Sequence, residues 1–508
     1  MTPGATWIEA GRSRQALRVT VANLSLLAVD LLNGGHRLAL VSACDDGDSI
    51  RIVYLFVASH PEIQRELWLT LDKSDLSFPS LASISYPAGR FEREMHDLFG
   101  VIPLDHPLPR RLVRHSSWPQ GWYPMRKDRG VTPPFGVDPD LFPFLKVEGE
   151  GVYEIPVGPI HAGIIEPGHF RFSVVGETIL KLKVRLWFLH KGIERLFEGL
   201  DPVKAVALAE RVSGDSSLSH GLAYSLAVED ALRVEQPSWV QGVRAMLLEM
   251  ERLYNHIGDI GALCNDVGFG IINSHALSLR ERLLRMNEMI TGHRLLRGAV
   301  YPGGVRLNSL PEIEELRKLT TEVEELAGLA LSNKLVKDRF ANTSVLAKDH
   351  AWQMGCLGPV ARASGVSNDA RVQHPFFPLD YTPKIMDGGD VLARFVQRVE
   401  EFKASVEIIG SILNNTDFED LEYNCDLRYL PSRSEGLPVS GVGIVESWRG
   451  AITTRIEIDD DLRISRVKVV DPSWFNWPAL PVALESTIVP DFPLTNKSFN
   501  LSYSGNDL

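Results

Sequence analysis

Two short segments carry paired small polar side chains three residues apart: Glu210-Arg211-Val212-Ser213-Gly214-Asp215-Ser216 and Asp471-Pro472-Ser473-Trp474-Phe475-Asn476. This is the spacing at which paired cysteines grip a metal, and His220 follows Ser216 by four residues, as in a C-x-x-C-x-x-x-H pattern. The four positions themselves hold Ser213, Ser216, Ser473 and Asn476. Hydroxyls and a neutral amide cannot stand in for soft thiolates on a metal such as nickel. What they offer is hydrogen bonding, with Asp215 as the acid among them. Elsewhere His190 and Glu194 lie four apart, the spacing that sets two side chains on one helix face, for a hydrogen bond or a proton relay. Cys44, Cys264, Cys356 and Cys425 are widely spaced with no C-x-x-C, so they read as small buried hydrophobes rather than cluster ligands.

The elements that must position these residues change character along the chain. Ile50–Val57 is a β-rich run, and His60–Trp68 reads as the start of a helix with Pro61 in its first turn. Nine prolines from Pro103 to Pro143 then rule out long helices and central strands, which makes this stretch an extended connector. Apolar spacing predicts helices over 176–199, 242–262, 276–295, 311–335 and 391–413, the last capped by Asp390. After Pro431 the helical signal fades, and 437–470 alternates like strands.

At 508 residues the chain has material for two to four domains. A formal charge of -12 argues against a basic nucleic-acid-binding surface. No apolar run is long enough to span a bilayer, and the N-terminus lacks a signal-peptide core, so membrane association is expected to be peripheral and through partners.

Phe91-Glu92-Arg93-Glu94-Met95-His96-Asp97-Leu98-Phe99-Gly100, followed by His106-Pro107, Arg110-Arg111-Leu112, Trp118 and Pro124–Asp128, is similar to the 30-kDa subunit of respiratory complex I. Arg93, Glu94 and Asp97 are expected to form a charge network there. A second set resembles the complex I 49-kDa subunit and the large subunits of group 4 nickel–iron hydrogenases. It comprises Gly158–Phe172, Gly176-Glu177, Leu189–Arg195, Glu251–His256, Asp266–Gly268, Gly358–Gly365 and Gly389-Asp390. The resemblance implies that Ser213, Ser216, Ser473 and Asn476 stand where hydrogenases carry their nickel-holding thiolates. Gly443–Gly450 resembles the segment that brings an arginine over that metal, with Trp448 in place of its proline. Arg449 would project into the pocket and pair with Asp215 or another acid; a purely structural ion pair is the alternative. For a complex I-like quinone pocket the resemblance offers His161 or His169, of which His169 matches better. No tyrosine occurs in 211–220, Tyr224 lies a turn beyond, and Ser216 or His220 would have to serve as donor.

The expected fold class is α+β, in three parts. Residues 1–130 form an α/β domain like the 30-kDa subunit, 131–150 a proline-rich connector, and 151–508 a mainly helical large-subunit-like domain with β-rich peripheral segments. The resemblance implies a peripheral subunit, on the cytoplasmic side, of a membrane-bound oxidoreductase that couples electron transfer to ion translocation. It implies an iron–sulfur small subunit, a ferredoxin-like subunit, antiporter-like membrane subunits and a formate dehydrogenase as partners, and a quinone or another small oxidant as acceptor. The chain itself is expected to bind no iron–sulfur cluster, nickel–iron centre or nucleic acid. Its site would comprise His161, His169, His220, Asp215 and Arg449, with Ser213, Ser216, Ser473 and Asn476 lining the pocket. The alternative is a catalytically silent scaffold that joins a formate- or ferredoxin-oxidising module to the membrane arm.

Overall fold

The computed structural model describes residues 6–59, 62–137, 142–163, 165–427 and 438–508. It opens with a five-stranded sheet of β1 (Ile8–Gly11), β2 (Arg14–Val19), β3 (Arg37–Asp45), β4 (Ser49–Ala58) and β5 (Ile63–Asp72), in the order β1-β2-β5-β4-β3. Only β2 and β5 run parallel. Helices α1 (Leu24–Asn33) and α2 (Tyr86–Phe99) accompany it, and α2 packs on β3. Every residue from Ile50 to Val57 is buried, which explains a run apolar but for Arg51: the sheet is covered on both faces. The helix expected over 60–68 is instead strand from Ile63 onward; His60 and Pro61 lie outside the described residues. Glu66 in this strand is fully buried, salt-bridged to Arg14 at 3.1 Å and Arg455 at 2.8 Å.

Residues 105–151 contain no helix or strand among the described residues. Their backbone groups are satisfied from outside. Asp97 accepts the N–H groups of Leu112, Val113 and Arg114, while Arg93 donates to the carbonyls of Arg110 and Arg111. Arg185 donates to the carbonyls of Leu112, Val113 and Arg114. The expected Arg93–Glu94–Asp97 network is therefore corrected: two of these residues hold the connector, and Glu94 pairs with Lys468 at 2.7 Å. A strand without its own ladder needs such partners, because buried backbone groups must be paired.

Next comes an antiparallel sheet of β6 (Val152–Val157), β7 (His169–Val175) and β8 (Thr178–Arg185). The helix expected over 176–199 is thus replaced in its first part by the strand Thr178–Arg185. A bulge between Ile179 and Lys181 sets the buried Ile179 and Leu182 three residues apart and so imitates helical spacing. A single short helix, α3 (Ile193–Phe197), remains.

The helical part comprises α4 (Ser217–Leu232), which the apolar spacing did not predict, and α5 (Ser238–Asp266), α6 (Gly270–Thr291), α7 (Ile313–Ser332) and α8 (Val391–Asn415), which follow the sequence pattern. The Asp390 carboxylate caps α8 by accepting the Ala393 N–H at 2.7 Å. Helix α5 runs through the middle, against α4, α6, α7 and α8. Strands β9 (Val439–Ser447), β10 (Gly450–Ile458) and β11 (Ile464–Val470) form an antiparallel meander across α4. A Cβ at Gly441 or Gly443 would lie 2.0 Å from the carbonyl oxygen of Ala227 or Ala223, so only glycine lets β9 approach the helix this closely.

The first sheet is fastened to this meander by buried ion pairs. Arg14–Glu66–Arg455–Glu457–Arg51 is a continuous chain, with contacts of 3.1, 2.8, 2.6 and 2.8 Å. Burial alone would raise the Glu66 carboxyl, but Arg455 and Arg14 bring it down to about 2. Its folded value lies below its unfolded one, so its contribution to stability is present above the ordinary carboxyl range and is lost as pH falls towards 2. Glu66→Gln leaves two buried guanidiniums short of charge and should cost ~3–5 kcal/mol by urea denaturation at neutral pH. The difference from wild type should shrink as pH is lowered.

Candidate functional site

The turn between β9 and β10 has only two residues, Trp448 and Arg449. Hairpin tips normally face solvent, but these two are buried, 2% and 6% exposed. The tip is seated against Gly358, where an added Cβ would lie 2.0 Å from the Arg449 carbonyl oxygen. A guanidinium delivered to the interior must be paired there. Arg449 reaches Asp215 through two hydrogen bonds, of 2.8 and 2.6 Å. Its Nε donates to the Asn500 carbonyl at 2.5 Å, and its charge lies 3.9 Å over the Trp448 ring. The Trp448 indole N–H is shared between Ser216 Oγ and the Asp215 carbonyl, both at 3.0 Å.

Burial would raise the Asp215 carboxyl, but Arg449, aided by the Ser213 hydroxyl, holds it below its usual value. The side chain of Asp215 is 40% exposed while that of Arg449 is 5% exposed, so the pair spans from interior to surface.

The sequence-predicted positions converge here, each already bonded to the chain. Ser213 Oγ donates to Asp215 at 2.8 Å and lies 2.8 Å from Ser502 Oγ. Ser473 Oγ accepts the Ser502 N–H at 2.9 Å, and Asn476 bridges the N–H and carbonyl of Leu357. His220 Nε2 lies 3.1 Å from Asp471, whose carboxyl burial would raise but the imidazole and Arg449 lower. His220 Nδ1 has no hydrogen-bond partner among the described residues.

Other expectations are not met in this way. His161 and His169 contact the carbonyls of Gly168 and Gly158 in their own hairpin, at 2.7 and 3.1 Å, and neither bonds to Asp215 or Arg449. His190 precedes α3 rather than lying in it, and its Nδ1 meets the Asp507 carbonyl; Glu194 pairs with Arg466 and Lys468. Their shared helix face is therefore corrected, although both line one cavity of about 60 Å³. The four cysteines form no disulfide, and burial pushes Cys44 up to about 11 and Cys264 and Cys356 up to about 12. Among the described residues no three His, Cys, Asp or Glu side chains are grouped to hold a metal ion.

Sequence reasoning missed the C-terminal tail. Residues 501–508 are all buried. Ser502 completes the cluster, and Asn500 joins Arg449 to Asp259. Nothing in the local sequence marks a residue 289 positions from Ser213 as its neighbour.

The hydrogenase-like pocket and complex I-like sheet can now be set beside known proteins. Formate hydrogenlyase subunit 5 of Escherichia coli (strain K12) is 30% identical over 525 residues, 99% of this chain and 91% of that one. This chain belongs to the group 4 hydrogenase large-subunit family. Hydrogenase-4 component G of the same organism is also 30% identical, over 99% of this chain and 90% of its own. Residues 18–134 match the family model of the respiratory-chain NADH dehydrogenase 30 Kd subunit, and 266–440 that of its 49 Kd subunit. Residues 191–260 match the nickel-dependent hydrogenase model. Among solved structures, a chain of an archaeal membrane-bound sulfane sulfur reductase superimposes with a TM-score of 0.64 at 25% identity, over 71% of this chain and 99% of that one. No helix among the described residues is long and apolar enough to cross a membrane.

The unequal burial of the central pair sets an asymmetry. Asp215→Asn strands a buried guanidinium, whereas Arg449→Gln leaves a carboxylate that can turn to water. Urea denaturation at pH 7 should find the first variant less stable than the second by ~1 kcal/mol, after allowance for screening at Asp215. A double-mutant cycle should give a coupling of ~1–2 kcal/mol that fades at acid pH as Asp215 protonates.

Proposed function

We propose that this chain is the peripheral, cytoplasm-facing large subunit of a membrane-bound, complex I-like oxidoreductase that performs no nickel–iron hydrogen chemistry. Residues 1–130 and 151–508 act as its 30-kDa-like and 49-kDa-like units, joined by the 131–150 connector. Electrons reach the Asp215–Arg449 region from iron–sulfur clusters in a small subunit and a ferredoxin-like partner. They pass to a two-electron acceptor, with quinone as the class to test first. Antiporter-like subunits use the linked charge movement to translocate ions.

The observation that carries this reading is the bidentate Asp215–Arg449 pair among Ser213, Ser216, Ser473 and Asn476. These residues do not fit a nickel–iron centre: they supply no thiolate, and their polar atoms are engaged within the chain. A pocket with no role would be expected to turn apolar, yet this one holds the buried His220–Asp471 pair and a guanidinium bound to an acid, Asp215, that reaches the surface. The similar archaeal chain comes from a complex named for sulfane sulfur reduction, which supports an acceptor other than protons on this fold.

The full engagement of those polar atoms also favours a second reading, a scaffold between a formate- or ferredoxin-oxidising module, such as a formate dehydrogenase, and the membrane arm. Tagging the chain, solubilising native membranes in mild detergent and analysing what co-purifies by mass spectrometry tests the complex. Iron–sulfur and antiporter-like subunits should arrive in fixed proportion, and a chain that emerges alone overturns it. Within that complex, Arg449→Lys or His220→Gln, which keep a charge beside Asp215 or a donor beside Asp471, should leave assembly intact and lower turnover roughly 10²-fold. Unchanged turnover supports the scaffold.

A further inference from the structure

Glu251 lies at the middle of α5, fully buried beneath the site loop. Its Oε2 accepts the Leu218 N–H at 2.8 Å. Its Oε1 accepts the Ser219 N–H at 3.2 Å and contacts the Ser219 hydroxyl. These donors belong to the first turn of α4, which begins directly after Ser216. One turn along α5, Asn255 donates to the Asp215 carbonyl at 2.8 Å and Tyr254 to the same oxygen at 3.4 Å. The loop bearing Asp215 is thereby clamped to the helix that carries Glu251.

Glu251 differs from the other buried acids nearby. Glu249, Glu401 and Glu446 are each salt-bridged to arginine. Among the described residues no cation forms an ion pair with Glu251, and the charge that acts on it is the carboxylate of Asp215. The other charged and titratable groups around this corner serve other partners. Arg449 is bound to Asp215, Arg297 donates to Ser217, and Arg280 lies over the Tyr254 ring. Burial outweighs the three donors, and the Asp215 charge adds to it, raising the carboxyl to about 8. At neutral pH the group is a carboxylic acid. Its O–H then donates to Ser219 Oγ, and the direction of that bond reverses when the proton leaves.

We propose that Glu251 is the proton-holding residue of the Asp215–Arg449 site, releasing its proton when the site is turned over and regaining it afterwards. This rests on the oxidoreductase reading. A two-electron acceptor such as a quinone takes two electrons, from the iron–sulfur partner, and two protons. Glu251–COOH supplies one proton and becomes Glu251–COO⁻, and solvent supplies the other and later reprotonates the carboxylate. Glu251 does not touch the acceptor; it acts through Ser219 and the Asp215 loop, as a positioning residue.

The test has two parts with separate readouts. In the purified full-length chain, infrared titration should show a protonated-carboxyl band that disappears as pH rises through about 8. Glu92, which burial raises to about 7, contributes a separate component that remains, so the Glu251 band is the one missing from the Glu251→Gln spectrum. It should persist to higher pH in Ser219→Ala, which removes one donor to the carboxylate. No such band in wild type, or its survival in Glu251→Gln, overturns the assignment whether or not the complex turns over. In the assembled complex, turnover should show an alkaline limb near pH 8 that Glu251→Gln lacks, with a rate roughly 10²-fold lower. A wild-type pH profile and rate in Glu251→Gln overturns the role. If the wild-type complex reduces no acceptor while the band titrates as expected, the oxidoreductase reading fails and the protonated Glu251 stands.

Discussion

A guanidinium in the protein interior is a demand the surroundings must meet, and Arg449 makes that demand at the tip of a buried two-residue turn. Its carbonyl side is fixed by Gly358, its charge by Asp215, its Nε by the Asn500 carbonyl and its flat face by Trp448. Ser216 and Ser213 then bond to those partners in turn. The cost of stranding a buried charge is several kcal/mol. Arg449 thus ties together the 213–216 segment, the β9–β10 turn and the C-terminal tail. Each comes from a different part of the chain.

The same rule operates on a larger scale. The first sheet meets the β9–β11 meander through alternating Arg and Glu, and Glu249 and Arg252 of helix α5 join Glu401, Arg362 and Glu446 in a chain of ion pairs. Such lattices add little net stability compared with apolar packing, but they tolerate few alternative arrangements. Paired buried charges therefore fix how the two halves sit together. Against this background an acid without a cation, such as Glu251, stands apart chemically, since its charge state is free to change.

The tail has a further consequence for the site. Ser502 and Asn500 fill space beside Ser213, Ser473 and Arg449, and the chain ends with Leu508 packed among apolar residues of β10 and β11. Of the hydroxyls at the paired positions, those of Ser213 and Ser473 both bond to Ser502 of the tail. The arrangement is a hydrogen-bonded plug in which every member depends on residues brought from far along the sequence.

Much of the fold was legible in the sequence. Long helices with steady apolar spacing, as in 242–262 and 391–413, read correctly, because one burial pattern holds over many turns. The proline-rich connector and the alternation in 437–470 read correctly for equally local reasons. The strands at 63–72 and 178–185 did not. Glu66 is buried only because Arg14 and Arg455 arrive from elsewhere, and the bulge after Ile179 mimics a helical period. At the site, the resemblance to hydrogenase large subunits grouped Ser213, Ser216, Ser473, Asn476 and Arg449, and left the partner of Arg449 as Asp215 or another acid; the structure pairs it with Asp215. The roles of Ser502, Asn500 and Glu251 were decided only by tertiary structure. Hydrogen bonding and desolvation depend on distance in space, and no local sequence pattern records which distant residue will supply the partner.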